Sequence, residues 1–230
     1  MIATKQIRTI TLDLDDTLWD IASVIQQAEK HIYQEICHRF PRAAERYGPH
    51  GVPEIRQKVI SMHPEIAHDL TTVRLLTFRS LLAEFDYDVQ EAEVLLSEFL
   101  EERHKVKFFP DAISALIKLS GRYPLVAITN GNANIEKLGI AKFFVGQMSA
   151  RKAGVLKPDP KIFDLACEIA GEVPSNLLHV GDHPVDDVLG AIDAGYQAVW
   201  LNRRMDRWQH EVVPHAEVSD LIELVDLLGL

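Results

Sequence analysis

An apolar run over residues 7–14, interrupted by Asp13 and closed by Asp15-Asp16-Thr17, constrains this chain more than any other feature. A run that is apolar on both alternating faces belongs inside a parallel sheet, because a face left to water would carry polar residues. Open α/β sheets place a ligand crevice at the carboxyl ends of such strands, and burying two unpaired carboxylates there is costly. A cation relieves that cost. A Mg²⁺ ion held by carboxylate and carbonyl oxygens would leave one Asp able to act as a nucleophile. Asp13-Leu14-Asp15 taken alone also reads as a solvated acidic turn, so the rest of the chain has to decide.

Beyond residue 120 short apolar runs alternate with helical patterns, as in a parallel sheet built from crossover units. Strands are expected at 125–129, about 145–149, 177–180 and 198–201, and helices at 111–119, 134–140, 160–170 and 186–194, with a closing helix over 218–228. Residues 21–103 differ in kind. Ile21, Val24, Ile25, Ala28 and Ile32 recur at helical spacing, and no strand run appears among them. Within this stretch 41–51 and the surroundings of His63-Pro64 read as loops. The expected fold class is therefore α/β, with a Rossmann-like parallel sheet and helices on both faces. Its core comprises 1–20 and 104–230, and a helical cap over 21–103 is inserted after the first strand, placed to cover the crevice.

At 230 residues, 47% hydrophobic and 25% charged, the chain has an ordinary globular composition with room for a sizeable core. Its net charge of -10 argues against a nucleic acid or an anionic membrane as partner. A small anionic substrate remains open if a metal and a local Lys or Arg offset that field. Cys37 and Cys167 show no metal-site or disulfide spacing and are expected to be reduced packing residues. No apolar window is long enough for a membrane span, and Asp13 cuts the first apolar run before it could act as a signal sequence. The expected compartment is the cytoplasm, and the expected assembly a monomer or homodimer.

Three further elements fall at strand ends. Thr129-Asn130-Gly131 offers a hydroxyl, an amide and backbone N–H groups that Gly lets turn toward an anion. Lys157, before Pro158-Asp159-Pro160, is held in a loop where an ammonium could neutralise both a phosphate and a nucleophile. Gly181-Asp182 ends the fourth expected strand, and Asp186-Asp187 opens the next helix. Each has a plainer alternative in isolation: a turn, a solvated lysine, a helix cap.

Together these residues resemble the four-motif signature of the haloacid dehalogenase superfamily. Its first motif matches Asp13-Leu14-Asp15-Asp16-Thr17-Leu18, its second Thr129-Asn130, its third Lys157, and its fourth Gly181-Asp182 with Asp187 five residues on. The resemblance covers essentially the whole chain, since the helical insertion sits where the superfamily carries its first type of cap. It implies that Asp13 attacks phosphorus to give an aspartyl phosphate, while Asp15 protonates the leaving oxygen and then deprotonates water. Thr129 and Lys157 would hold phosphoryl oxygens. Asp13, the Asp15 backbone carbonyl and Asp182 would bind Mg²⁺, with Asp187 supporting that site through water or Lys157.

The physical chemistry agrees, because a phosphomonoester dianion repels a carboxylate nucleophile until a divalent cation and a Lys offset the charge. Dehalogenases of this fold lack an acid at the second position, since a departing halide needs no proton, so Asp15 favours a phosphatase acting on small phosphorylated metabolites. A sugar phosphomutase, a 2-haloacid dehalogenase and a non-catalytic binding module are the alternatives. Within the superfamily the motifs look most like bacterial phosphatases of flavin mononucleotide and of the phosphorylated ribitylamino-uracil precursor of riboflavin. Arg74, beyond His68-Asp69-Leu70-Thr71, is the expected substrate-recognition residue of the cap. Trp19 reads as a packing residue near the hinge, His179 as a satisfied core histidine, His183 as supporting or solvated, and Arg203-Arg204 as a solvated face.

Overall fold

The structure is a computed structural model and describes residues 2–230. The chain divides into two compact units, one formed by 1–20 with 107–230 and the other by 21–106.

The first unit is a six-stranded parallel sheet made of β1 (Thr9–Leu12), β2 (Leu125–Thr129), β3 (Gly146–Ser149), β4 (Leu177–Gly181), β5 (Gln197–Leu201) and β6 (Ala216–Val218). Its spatial order is β3-β2-β1-β4-β5-β6, parallel at every pairing. Every residue of β1, β2, β4 and β5 is buried, which requires cover on both faces of the sheet. The chain moves outward from β1 through β2 to β3 and then returns to β4 on the opposite side of β1. The strand order thus reverses between β1 and β4, the place where open sheets form ligand crevices.

Helices α6 (Ala112–Ser120), α7 (Ala150–Ala153), α8 (Pro160–Ala170), α9 (Gly190–Asp193) and α10 (Leu221–Leu227) complete this unit. Local chemistry sets their ends: Asp159 caps α8 by accepting from the Lys161 N–H with Pro160 in the first turn, and Gly171 stops it in the left-handed region. Asp220 caps α10 in the same way.

The second unit is helical throughout, with α1 (Ile21–Arg39), α2 (Pro41–Tyr47), α3 (Gly51–Met62), α4 (Leu70–Ala83) and α5 (Glu91–Arg103). Its interior is a cluster that includes Ala28, Ile32, Ile36, Val59, Phe78, Leu82, Leu95 and Phe99. No helix among the described residues is long and apolar enough to cross a membrane.

Several expectations are corrected. Residues 41–47 form a helix rather than a loop, because Pro41 occupies the first turn, where its missing N–H costs nothing. Residues 134–140 form consecutive turns rather than a helix. The Asn134 side chain accepts from the N–H groups of Glu136 and Lys137, and Gly139 lies at positive φ, so the helical ladder never propagates. Residues 186–194 do not form one regular helix: a π-helical turn over Pro184–Leu189 precedes α9. The closing helix begins at Leu221, and Val218 instead ends β6, whose three residues are too few to show a period. Cys37 is exposed rather than part of the core, while Cys167 is buried.

Candidate active site

β1 and β4 are tied at their carboxyl ends, where the Asp13 N–H donates to the Val180 carbonyl at 2.9 Å. Asp13 therefore leaves the sheet beside the strand that delivers Gly181 and Asp182. The π-helical turn that follows brings the Asp187 carboxylate back under this strand end. Gly181 is required for that return, since a Cβ there would overlap the Asp187 side chain.

Lys157 reaches the same point from the loop that precedes α8. Its backbone is clamped by Asn130, whose Oδ1 accepts from the Lys157 N–H at 2.7 Å and whose Nδ2 donates to the Lys157 carbonyl at 3.1 Å. Gly190 allows this loop to sit close to α9, because a Cβ would come within 2.8 Å of Pro158. The Lys157 ammonium donates to Asp13 Oδ1 and to Asp187 Oδ1, both at 2.5 Å, and to the Ile128 carbonyl at 3.1 Å.

Asp187 is used on every side. Its Oδ1 also meets His179 Nε2 at 3.1 Å, its Oδ2 accepts from the His183 N–H at 2.9 Å, and the His179 Nδ1 meets Thr11 Oγ1 at 2.7 Å. A hydrogen-bonded line thus runs from Thr11 through His179, Asp187 and Lys157 to Asp13, all of it buried. Thr129 ends β2 fully buried, and its Oγ1 accepts from the Gly131 N–H at 2.9 Å, which leaves its hydroxyl hydrogen to donate elsewhere. Asp15 is held by Trp19, whose indole N–H donates to its Oδ1 at 2.9 Å. Trp200 donates in turn to the Asp182 carbonyl at 2.8 Å.

The electrostatics follow from burial. Desolvation lifts the Asp13 carboxyl well above the usual carboxylate range against the pull of Lys157. Asp182 is pushed up to about 7 by burial, with the charges of Asp187 and Asp16 adding to the effect. Burial also opposes ionisation of Asp187, but Lys157 and His179 hold it well below its ordinary value. Lys157 stays protonated: Asp13 and Asp187 outweigh the burial that disfavours its charge. One carboxylate oxygen from each of Asp13, Asp182 and Asp187 lies within 4.8 Å of the others. These carboxylates face a single ammonium, an all-oxygen donor set short of positive charge, which suits a hard divalent cation. Since Asp187 is already bonded on both oxygens, Asp13 and Asp182 are the side chains best placed to hold one.

The expected residues Asp13, Asn130, Lys157, Asp182 and Asp187 thus come together, with Thr129 and Asp15 at adjoining strand ends. Arg74 has a different setting. It lies in the helical unit, buried, with its guanidinium 3.5 Å from the centre of the Phe99 ring and 3.6 Å from Glu29. The start of its helix is capped by Asp69. Arg203 is no solvated face: it donates to the Thr17 carbonyl and, in a two-pronged pair, to Asp111. Sequence reasoning missed the grip of Trp19 on Asp15, although their i, i+4 spacing was a usable signal. It also missed the part His179 plays in holding Asp187, for which the pattern offered none.

The chain is similar to known proteins. The chain is 32% identical to the 5-amino-6-(5-phospho-D-ribitylamino)uracil phosphatase YigB of Escherichia coli, covering 97% of both sequences. It is 34% identical to a phosphoserine phosphatase of Thermus thermophilus over 64% of this chain and 61% of that one. Among solved structures, a 2-haloacid dehalogenase from Pseudomonas syringae pv. tomato superposes with a TM-score of 0.88 at 34% identity, over 97% of this chain and 98% of that one. The model of the haloacid dehalogenase-like hydrolases matches residues 7–195, a span that takes in Asp13, Thr129, Lys157, Asp182 and Asp187, and the chain belongs to that family.

Proposed function

We propose that this hydrolase is a Mg²⁺-dependent phosphatase of small phosphorylated metabolites that works through a phosphoryl group carried on Asp13. The observation that carries the reading is the buried Lys157 ammonium shared between Asp13 and Asp187, beside an Asp15 carboxyl oriented by Trp19. Asp13 attacks phosphorus in line with the leaving oxygen. Lys157 draws off negative charge as the phosphoryl group approaches, and Thr129 donates its hydroxyl to a phosphoryl oxygen. Asp15 gives a proton to the leaving oxygen and then takes one from the water that opens the aspartyl phosphate. Asp13 and Asp182, with the Asp15 carbonyl, would hold Mg²⁺, which supplies the positive charge that Lys157 alone cannot.

Substrate choice is a finer step. The E. coli relative, matched over nearly its whole length, makes the phosphorylated ribitylamino-uracil the first compound to assay, and the motif resemblance adds flavin mononucleotide. The likeness to a 2-haloacid dehalogenase favours a second reading, in which Asp13 displaces halide from carbon. Asp15 separates the two, because a halide leaves without a proton.

The test is turnover by the purified protein of an aryl phosphate and of a 2-haloacid, with and without Mg²⁺. The phosphatase reading expects phosphate release that stops on chelation, falls under Ca²⁺, and drops at least a thousandfold in Asp13→Asn and Asp15→Asn. Halide release that is indifferent to chelation and survives Asp15→Asn would overturn it.

A further inference from the structure

A cleft of about 730 Å³ opens beside Asp182, and every residue lining it belongs to the sheet unit. That is the size of a site for a small organic molecule. Its inner wall holds Asp182, His183 and Trp200, and its outer wall is the segment after β5, which contributes Arg204, Arg207 and Gln209.

That segment is tied down rather than slack. Asn202 accepts from the Asp206 N–H at 2.9 Å and donates to the Asp206 carbonyl at 2.8 Å, closing a tight turn. Arg203 anchors the turn to Thr17 and Asp111. Trp208 packs edge-on against Trp200, with ring centres 5.0 Å apart. Within this frame Arg204 and Arg207 are exposed, and neither forms an ion pair among the described residues. The carboxylates of Asp16, Asp20, Asp182 and Asp206 line the same cleft, but among the described residues none of them is ion-paired with Arg204 or Arg207, so these two guanidinium groups keep their capacity to bind acceptor oxygens. A guanidinium fork matches a planar pair of acceptor oxygens.

We infer that this cleft receives the leaving group of the substrate and that Arg204 and Arg207 select leaving groups ending in a planar pair of acceptor oxygens. Two sources supply planar acceptor oxygens: a carboxylate, whose two oxygens one guanidinium fork can take, and a pyrimidine-dione ring, whose two carbonyls are held apart by the N3–H and would take one arginine each. With the phosphoryl group against Asp13 and Lys157, the remainder of the molecule runs past Asp182, His183 and Trp200 toward the two arginines. Discrimination then resides at least partly in the sheet unit itself. For its substrates the inference rests on the phosphatase reading.

The experiment is steady-state kinetics of the wild type and of Arg204→Ala, Arg207→Ala and the double variant. Uridine 5′-monophosphate supplies the dione, phosphoserine the carboxylate, and phenyl phosphate, whose ring carries no acceptor oxygen, neither. The expected result is a wild-type preference, as kcat/KM, for one of the first two over the aryl phosphate, and a tenfold or greater loss of that preference in the double variant. Which compound loses its advantage names the source. A preference that survives the double variant, or a wild type without one, overturns the inference. Should no phosphate ester be turned over at all, the phosphatase reading has failed instead. Calorimetric binding of uridine 5′-monophosphate and phosphoserine then decides the cleft: a tenfold weaker Kd for either in the double variant supports it, and unchanged or absent binding overturns it.

Discussion

The two units bury charge in opposite ways. In the sheet unit Asp13, Lys157 and Asp187 converge at strand ends, and carboxylates outnumber the ammonium they surround. In the helical unit the buried charges among the described residues are arginines, Arg74 and Arg103, and Arg74 has its guanidinium over the Phe99 ring with one carboxylate, Glu29, that it shares with Arg56. Burial lowers the Arg74 pKa to about 10, with Arg56 adding to the effect and Glu29 opposing it, so the side chain stays charged near neutrality. The first arrangement is electrostatically incomplete and has work left to do on a ligand. The second is closed, with the guanidinium serving as a flat packing element.

Deleting charge at constant volume is the sharpest way to break this comparison. Lys157→Met leaves Asp13 and Asp187 facing each other in a buried space, and should cost about 3–5 kcal/mol of stability, measured by denaturant unfolding at pH 7, together with all turnover. If it cost no more than Arg74→Met, the distinction between the two units would fall.

The reverse deletion should stabilise. The native protein keeps a proton on Asp182 to about pH 7, whereas an unfolded chain releases it near pH 4, so the metal-free protein loses stability as pH rises between those values. Asp182→Asn should therefore raise the stability of the metal-free protein at pH 8 by about 1–4 kcal/mol, with the gain vanishing toward pH 4. A gain independent of pH would assign the effect to packing. Excess Mg²⁺ should stabilise the wild type and leave this variant nearly unmoved.

A smaller effect comes from Asp111, where burial pushes the carboxyl up but Arg203 and the Leu221 N–H hold it below the usual range. Its contribution is present above about pH 4 and disappears as pH falls through the depressed native value. Asp111→Asn should cost about 1–2 kcal/mol at pH 7 and less at pH 3, read from paired urea titrations. Smallest of all, Arg74→Met should change stability by less than about 1 kcal/mol, because Arg56 continues to neutralise Glu29 and the aliphatic stem keeps its packing. A loss above about 3 kcal/mol would mean that Arg74 belongs to a charge network after all.

The same contrast explains what could be read from sequence. Asp13, Lys157 and Asp182 stand out because each interrupts or follows an apolar run, and a polar residue at the end of a buried strand has few structural excuses. Arg74 looks equally distinctive on paper, but helical spacing carries no sign of whether a long side chain turns outward or lies along a ring. His179 and Trp19 hide for the opposite reason: they sit inside apolar surroundings and read as core, although each donates to or meets a carboxylate of the site. The missed elements have separate causes. β6 is too short to show a period, the turns over 134–140 follow from the Asn134 side-chain bonds and the positive φ of Gly139, and the π-helical turn departs from helical geometry by a single residue, so no pattern of hydrophobicity records them.

The indole bonds to Asp15 and Asp182 also make this protein its own optical probe. Of three tryptophans, Trp19 donates to the Asp15 carboxyl and Trp200 to the Asp182 carbonyl, and Trp208 lies against Trp200. All of its indole emission thus arises within reach of the acids that would bind metal and move the proton. Cation loading or phosphoryl transfer at these acids would change the charge beside both indoles, and occupancy of the site could be followed by fluorescence without attaching a dye.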